Sequence, residues 1–206
     1  MKEWVIQEKK RLIAVGVFLA LSLGLFLGFA LDWSTPPVKA AKRYMKAAIR
    51  CDAMGMYDAF DQAVVAWSLE KQKELSGMDA VDIQDLAQRQ SAVMEQYIDQ
   101  AESYGAKVSF TYTVTGEEEL DPATLDELKS AYAAMGVDMD ILDARRVDLK
   151  AFATLTGAGE KAVYEQDLTF TALQTPRGWS LEMNDITAFL VFLQNLNLFA
   201  WEHFAP

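Results

Sequence analysis

Residues 108–115 read Val-Ser-Phe-Thr-Tyr-Thr-Val-Thr, so Val108, Phe110, Tyr112 and Val114 take one side of an extended chain and the Ser and Thr residues take the other. A period of two in β-branched and aromatic residues predicts a half-buried strand. Three more alternating segments follow, at 144–156, 162–173 and 179–183, joined by turns at Gly157-Ala158-Gly159 and Pro176-Arg177-Gly178. Turns this short make the three antiparallel neighbours. Between the first strand and this meander, Asp121-Pro122 supplies an N-cap and a first-turn proline. Leu120 and Leu125 form a hydrophobic staple there, and Gly136 ends the short helix.

Upstream the period changes to that of a helix. Ser34-Thr35-Pro36-Pro37 is a stiff linker opening a helix over 38–51, with Val38, Ala41, Met45, Ala48 and Ile49 on one side and Lys39, Lys42, Arg43, Lys46 and Arg50 on another. More helix carries Tyr57, Phe60, Val64, Trp67 and Leu69 up to a break at Ser76-Gly77. A longer helix over 82–104 places Ile83, Leu86, Val93, Met94, Tyr97, Ile98 and Ala101 on one face, with Gly105 at its C-cap. This is the expected main packing helix. Helices gathered before strands predict an α+β domain with helices packed on one face of an antiparallel sheet.

Residues 12–31, LIAVGVFLALSLGLFLGFAL, carry no charge. At ~1.5 Å per helical residue the run spans a ~30 Å hydrocarbon core, which predicts a transmembrane anchor from Leu12 to Leu31. Gly28-Phe29-Ala30 offers the alternative of a cleaved signal peptide, although the h-regions of such peptides run ~7–15 residues. Lys9, Lys10 and Arg11 favour a cytoplasmic N-terminus and an extracytoplasmic domain in a bacterial membrane, while Lys39, Lys42, Arg43 and Lys46 on the other side pull the opposite way. The expected order is a cytoplasmic stretch 1–11, the anchor 12–31, a linker 32–37, the α+β domain 38–183 and a C-terminal apolar helix 184–206.

The formal net charge is −11, and residues 1–31 carry +2 of it, so the remainder carries −13. A domain this acidic, with no basic run interleaved with aromatics, argues against nucleic acid as a partner. The single cysteine, Cys51, excludes an internal disulfide and a Cys-rich zinc site. With a single histidine as well, His203, no transition-metal site is expected.

The order helix, helix, strand, short helix and then a three-strand meander ending in Gly178-Trp179-Ser180-Leu181 resembles the cone-shaped nuclear-transport-factor-2-like, or cystatin-like, superfamily over roughly residues 36–183. Val114-Thr115-Gly116-Glu117-Glu118-Glu119-Leu120 and Ala144-Arg145-Arg146-Val147 are more narrowly similar to anchored extracytoplasmic domains of Gram-positive bacteria. The resemblance implies a fold and no single reaction.

Catalytic members of that superfamily resemble ketosteroid isomerases, with an inward carboxylate as base and an inward tyrosine for an oxyanion. Strand parity argues against that chemistry here. If Val147, Leu149 and Ala151 face the core, Arg146, Asp148 and Lys150 face solvent. With Tyr164, Gln166, Leu168 and Phe170 inward, Glu165 and Asp167 point out. The cone is then lined by Phe110, Tyr112, Leu149, Tyr164, Gln166, Leu168, Phe170, Trp179 and Leu181, either as packed core or as a pocket for a small apolar ligand.

Asp138, Asp140 and Asp143 do not complete a calcium loop, because Leu142 stands where an oxygen ligand is needed. No catalytic residue, cofactor or metal is assigned. The basic stripe is either a solvated face or a contact for anionic headgroups or wall polymers. After Asn184 as the expected N-cap, residues 186–204 are apolar on most of their circumference. Phe189, Phe192, Leu196, Phe199 and Trp201 therefore dock on the domain, form a homodimer contact or meet a partner protein. The function expected is a tethered binding or scaffold module, the alternative being an isomerase- or hydratase-like cone enzyme acting on a small apolar substrate.

Overall fold

The computed structural model describes residues 34–76, 82–157 and 159–205. The expected anchor from Leu12 to Leu31 lies outside them; among the described residues, no helix is long and apolar enough to cross a membrane. Pro36–Pro206 form one compact unit, with no boundary at residue 184.

The unit is α+β, with a curved sheet of four antiparallel strands in the order β1-β2-β3-β4: Lys107–Glu119, Asp143–Gly157, Glu160–Thr175 and Gly178–Leu181. Among the described residues six helices accompany it: α1 Pro36–Ala48, α2 Ala53–Tyr57, α3 Gln62–Ser76, α4 Ile83–Ser103, α5 Pro122–Met135 and α6 Ala188–Phe204. The inner face of the sheet carries Val147, Leu149, Ala151, Ala153 and Leu155 of β2 with Leu168, Phe170 and Ala172 of β3, all buried.

The central helix is α1, not α4. Ala40, Ala41, Tyr44, Met45 and Ala48 are all fully buried, the alanines letting the backbone approach the sheet. Tyr44 meets Phe60 edge-on at 6.0 Å and Phe170 at 5.2 Å. Its hydroxyl donates to the Ile186 carbonyl at 2.8 Å and accepts from the Phe189 N–H at 3.4 Å, which satisfies the polar end of a buried ring. In α4 only Ala87, Met94 and Ala101 are buried, one line at a spacing of seven, and Val93, expected inside, is 42% exposed.

Helices do not keep to one face of the sheet. Ala144 and Leu173 are cross-strand partners of the opposite parity, and both are buried on the reverse face. Val64 and Trp67 of α3, Tyr132 of α5, and Val137 and Ile141 pack with them as a second core. Leu120 and Leu125 join this cluster beside the Asp121 cap, whose side chain accepts from the Thr124 N–H at 3.0 Å.

The C-terminal helix starts later than its sequence suggests. β4 stops at Leu181, and a tight 3-10 turn, Met183–Thr187, precedes α6. Glu182, and not Asn184, caps that turn, accepting from the Asn184 N–H at 3.1 Å. Beyond it α6 lays Phe189, Phe192, Leu193 and Leu196 on the inner face, each with 0% exposure.

Candidate functional site

β4 is a short edge strand with a second attachment. Its Leu181 N–H donates to the Ala59 carbonyl at 2.8 Å, and Phe60 forms a parallel bridge with Leu181. This join brings residues 58–62 against residues 175–180, far apart in the chain. A cleft of about 160 Å³ opens between them, lined by Arg43, Asp58, Asp61, Arg177, Trp179 and Ser180 among others.

Asp61 organises the cleft. It stands at the entrance to α3, where Oδ1 accepts from the Ala63 N–H at 2.9 Å. The side chain is 3% exposed, and the Arg177 guanidinium grips it with both forks, Nη2 to Oδ1 at 2.6 Å and Nε to Oδ2 at 3.1 Å. The Thr175 hydroxyl adds a donation to Oδ2 at 3.2 Å and accepts from the Arg177 N–H at 3.2 Å. Arg177 reaches back because it sits in the β3–β4 turn, which closes on Gly178 with φ +117°, a backbone conformation that favours glycine. A carboxylate this buried requires such a partner.

One further donor faces the same space. Arg43 of α1 donates through Nη2 to the Trp179 carbonyl at 2.7 Å, and the rest of its guanidinium has no protein partner among the described residues. Ser180 is 8% exposed, and its Oγ is buried with no hydrogen-bond partner. An unpaired buried hydroxyl costs about 1–3 kcal/mol relative to a satisfied one. A second groove of about 420 Å³ continues from the first, sharing Arg43 and Asp58 and adding Lys46, Arg50 and Asp52. Asp52 is already engaged, capping α2 through the Gly55 N–H at 2.9 Å.

The residues expected to line an apolar pocket are packed instead against α6. Leu168 and Phe170 are core. Phe110 meets Phe189 at 5.8 Å and Phe192 at 6.1 Å, and Tyr164 meets Phe192 at 5.3 Å and Phe199 at 5.4 Å. Tyr112 packs against the same core. Gln166 accepts from the Tyr164 hydroxyl at 2.7 Å and from the Asn195 amide of α6 at 3.1 Å, so the polar groups on this face satisfy one another. Of the expected set only Trp179 reaches the polar cleft. Among the expected contact residues of the C-terminal helix, Phe189, Phe192 and Leu196 are buried, Phe199 is partly buried, and Trp201 is 59% exposed.

Comparison with family models, with curated proteins and with solved structures found no match.

Parity needs one amendment. A bulge between Val114 and Gly116 inserts an extra residue in β1, so Glu117 pairs with Val147 and shares the inner-face parity. It lies four positions along β2 from Ala151, the partner of Tyr112, and beside Arg145 rather than beside that ring. A second buried carboxylate group was also outside the strand pattern. Glu182 accepts from the Tyr132 hydroxyl at 3.1 Å, and Asp185 accepts from the Thr171 N–H at 2.7 Å. Burial, and then the Glu182 charge, push Asp185 up to about 7, while burial beside Glu182 raises Tyr132. These groups clasp α5 and β3 to the start of α6. Among the described residues, no group of His, Cys, Asp and Glu could hold a metal ion.

Proposed function

We propose that this chain is a membrane-tethered extracytoplasmic binding or scaffold module without catalytic activity. The run from Leu12 to Leu31 is the tether. Helices packed against a curved four-stranded antiparallel sheet support a cone-like, nuclear-transport-factor-2-like reading of the body.

One observation carries the reading. Phe189, Phe192, Leu193 and Leu196 of α6 occupy the inner face of the sheet at 0% exposure, where a cone enzyme keeps its substrate. Recognition then falls to the outer surface, and in particular to the polar cleft built on Asp61 and Arg177.

Native mass spectrometry of the full chain released from detergent micelles tests this. The expected spectrum retains no apolar small molecule. A stoichiometric apolar adduct whose chemical conversion is abolished by Tyr112→Phe would overturn the proposal in favour of a cone enzyme.

A further inference from the structure

We infer that the cleft and the groove continuing from it form a binding site for a polyol phosphate, with the phosphoryl group between Arg43 and Arg177 and a hydroxyl of the same ligand on Asp58. The inference deepens the binding-module reading by naming a ligand class, and it does not depend on the tether.

Positive charge in the groove is left without ion pairs among the described residues. Carboxylates outnumber Lys and Arg by 30 to 19 in this chain, and Lys71, Lys73, Arg145, Arg146, Lys150 and Arg177 all make ion pairs. Arg43, Lys46 and Arg50 recur at i, i+3 and i+7 on the α1 side of the groove, and none of them makes an ion pair among the described residues. Three cations without ion pairs, set against Asp52 and Asp58 in the same groove, leave a net positive recess in an acidic protein and a local field suited to an anion. Arg177 adds a guanidinium whose orientation Asp61 has already fixed, which reduces the ordering cost of binding.

Asp58 selects among anions. It lines both recesses and repels a bare anion, yet it is a strong acceptor for a hydroxyl. A ligand that carries a phosphoryl group and hydroxyls on one short chain satisfies the arginines and Asp58 together. Inorganic phosphate satisfies only the arginines. A long polyanion meets the repulsion of the acidic body, whereas a small ligand held within the ~8 Å screening length responds chiefly to the groove.

The test is calorimetric titration of the full chain, held in phosphatidylcholine nanodiscs, with glycerol 3-phosphate, inorganic phosphate and glycerol. Saturable binding of glycerol 3-phosphate is expected, at least several-fold tighter than that of inorganic phosphate, with glycerol silent. Arg43→Gln should weaken it about tenfold or more, the loss of one charge-assisted contact. Lys46→Gln with Arg50→Gln, which removes no side-chain hydrogen bond among the described residues, should weaken it with no change in the melting curve. Asp58→Asn should abolish the preference over inorganic phosphate. Repeating the titration in phosphatidylglycerol nanodiscs identifies the source: loss of soluble binding there assigns the site to a lipid headgroup, and retention assigns it to a free ligand. No saturable phosphate binding, or binding indifferent to Arg43→Gln and to the double variant, overturns the inference. An empty mass spectrum together with failed titrations would sink the polyol-phosphate site and leave the filled cone standing.

Discussion

Arg177 and Asp61, 116 residues apart, close a two-pronged ion pair at 2.6 and 3.1 Å in which the carboxylate is almost fully buried and the guanidinium is 57% exposed. The asymmetry decides what each substitution does. Arg177→Gln leaves a nearly fully buried carboxylate with only the neutral Thr175 and Ala63 donors, and should cost about 3 kcal/mol because the charge is left uncompensated. Asp61→Ala removes the buried charge itself, leaves an arginine that solvent already reaches, and loses the acceptor at the entrance to α3, a smaller cost of about 1–2 kcal/mol. Thermal unfolding followed by circular dichroism should rank Arg177→Gln below Asp61→Ala, and the reverse order would mean that the Asp61 carboxylate does not depend on the arginine.

Phe192 stacks between Phe189 and Tyr164 with no exposure, at ring separations of 5.6 and 5.3 Å. Phe192→Ala should destabilise the fold by about 3–5 kcal/mol through lost burial and a residual cavity. Trp201→Ala, at an exposed position of the same helix, should change stability by no more than ~0.5 kcal/mol. Urea midpoints measured on both variants settle the contrast; equal small effects would mean that α6 is not part of the core.

Asp185 gives stability a pH dependence of known sign. Its folded value, pushed up to about 7, lies above the ordinary 3.8, so between those values the folded chain holds the extra proton. The contribution is full below about pH 4 and is lost as the pH rises towards 7, with a slope no steeper than ~1.4 kcal/mol per pH unit. Asp185→Asn removes the titration and keeps an acceptor for the Thr171 N–H. The stability difference between wild type and variant should therefore vary across this window and level off above it. A difference independent of pH between 4 and 8 would contradict the burial assigned to this carboxyl.

Gly157 ends β2 where the chain after α4 crosses it. An added Cβ would overlap the Gly105 carbonyl oxygen and crowd the Ala106 backbone, neither of which can rotate away. Gly157→Ala should cost about 1–3 kcal/mol through forced backbone movement, despite the usual advantage of alanine over glycine in a strand. Gly116→Ala, where the nearest atoms stand at 3.5 Å or beyond, is the control that should be tolerated. Melting temperatures of the two variants test the pair.

The strands were legible because period-two alternation is local: Val108, Phe110 and Tyr112, like Leu168 and Phe170, lie on the sides their neighbours dictate. Tyr44 as a core residue was not, because a tyrosine on a helix with a basic stripe reads as a boundary position. Only the Ile186 carbonyl, supplied from 142 residues away, makes its burial affordable. The β1 bulge leaves no mark in the alternation before it, so Glu117 was placed by tertiary pairing alone. The cleft was invisible for a related reason. Asp61 looks like an ordinary helix cap and Arg177 like an ordinary turn residue until the β4 join to Ala59 and Phe60 brings them together.

The late position of α6 in the chain has a consequence for biogenesis. Synthesis runs from the N-terminus, so all four strands emerge before residues 188–204 that cover their inner face. Through that interval Phe110, Leu149, Tyr164 and Phe170 lack the aromatic side chains of α6 that later pack over the sheet. The nascent domain thus presents an adhesive surface while it is being made, and is most exposed to aggregation and to chaperone capture just before its last helix arrives.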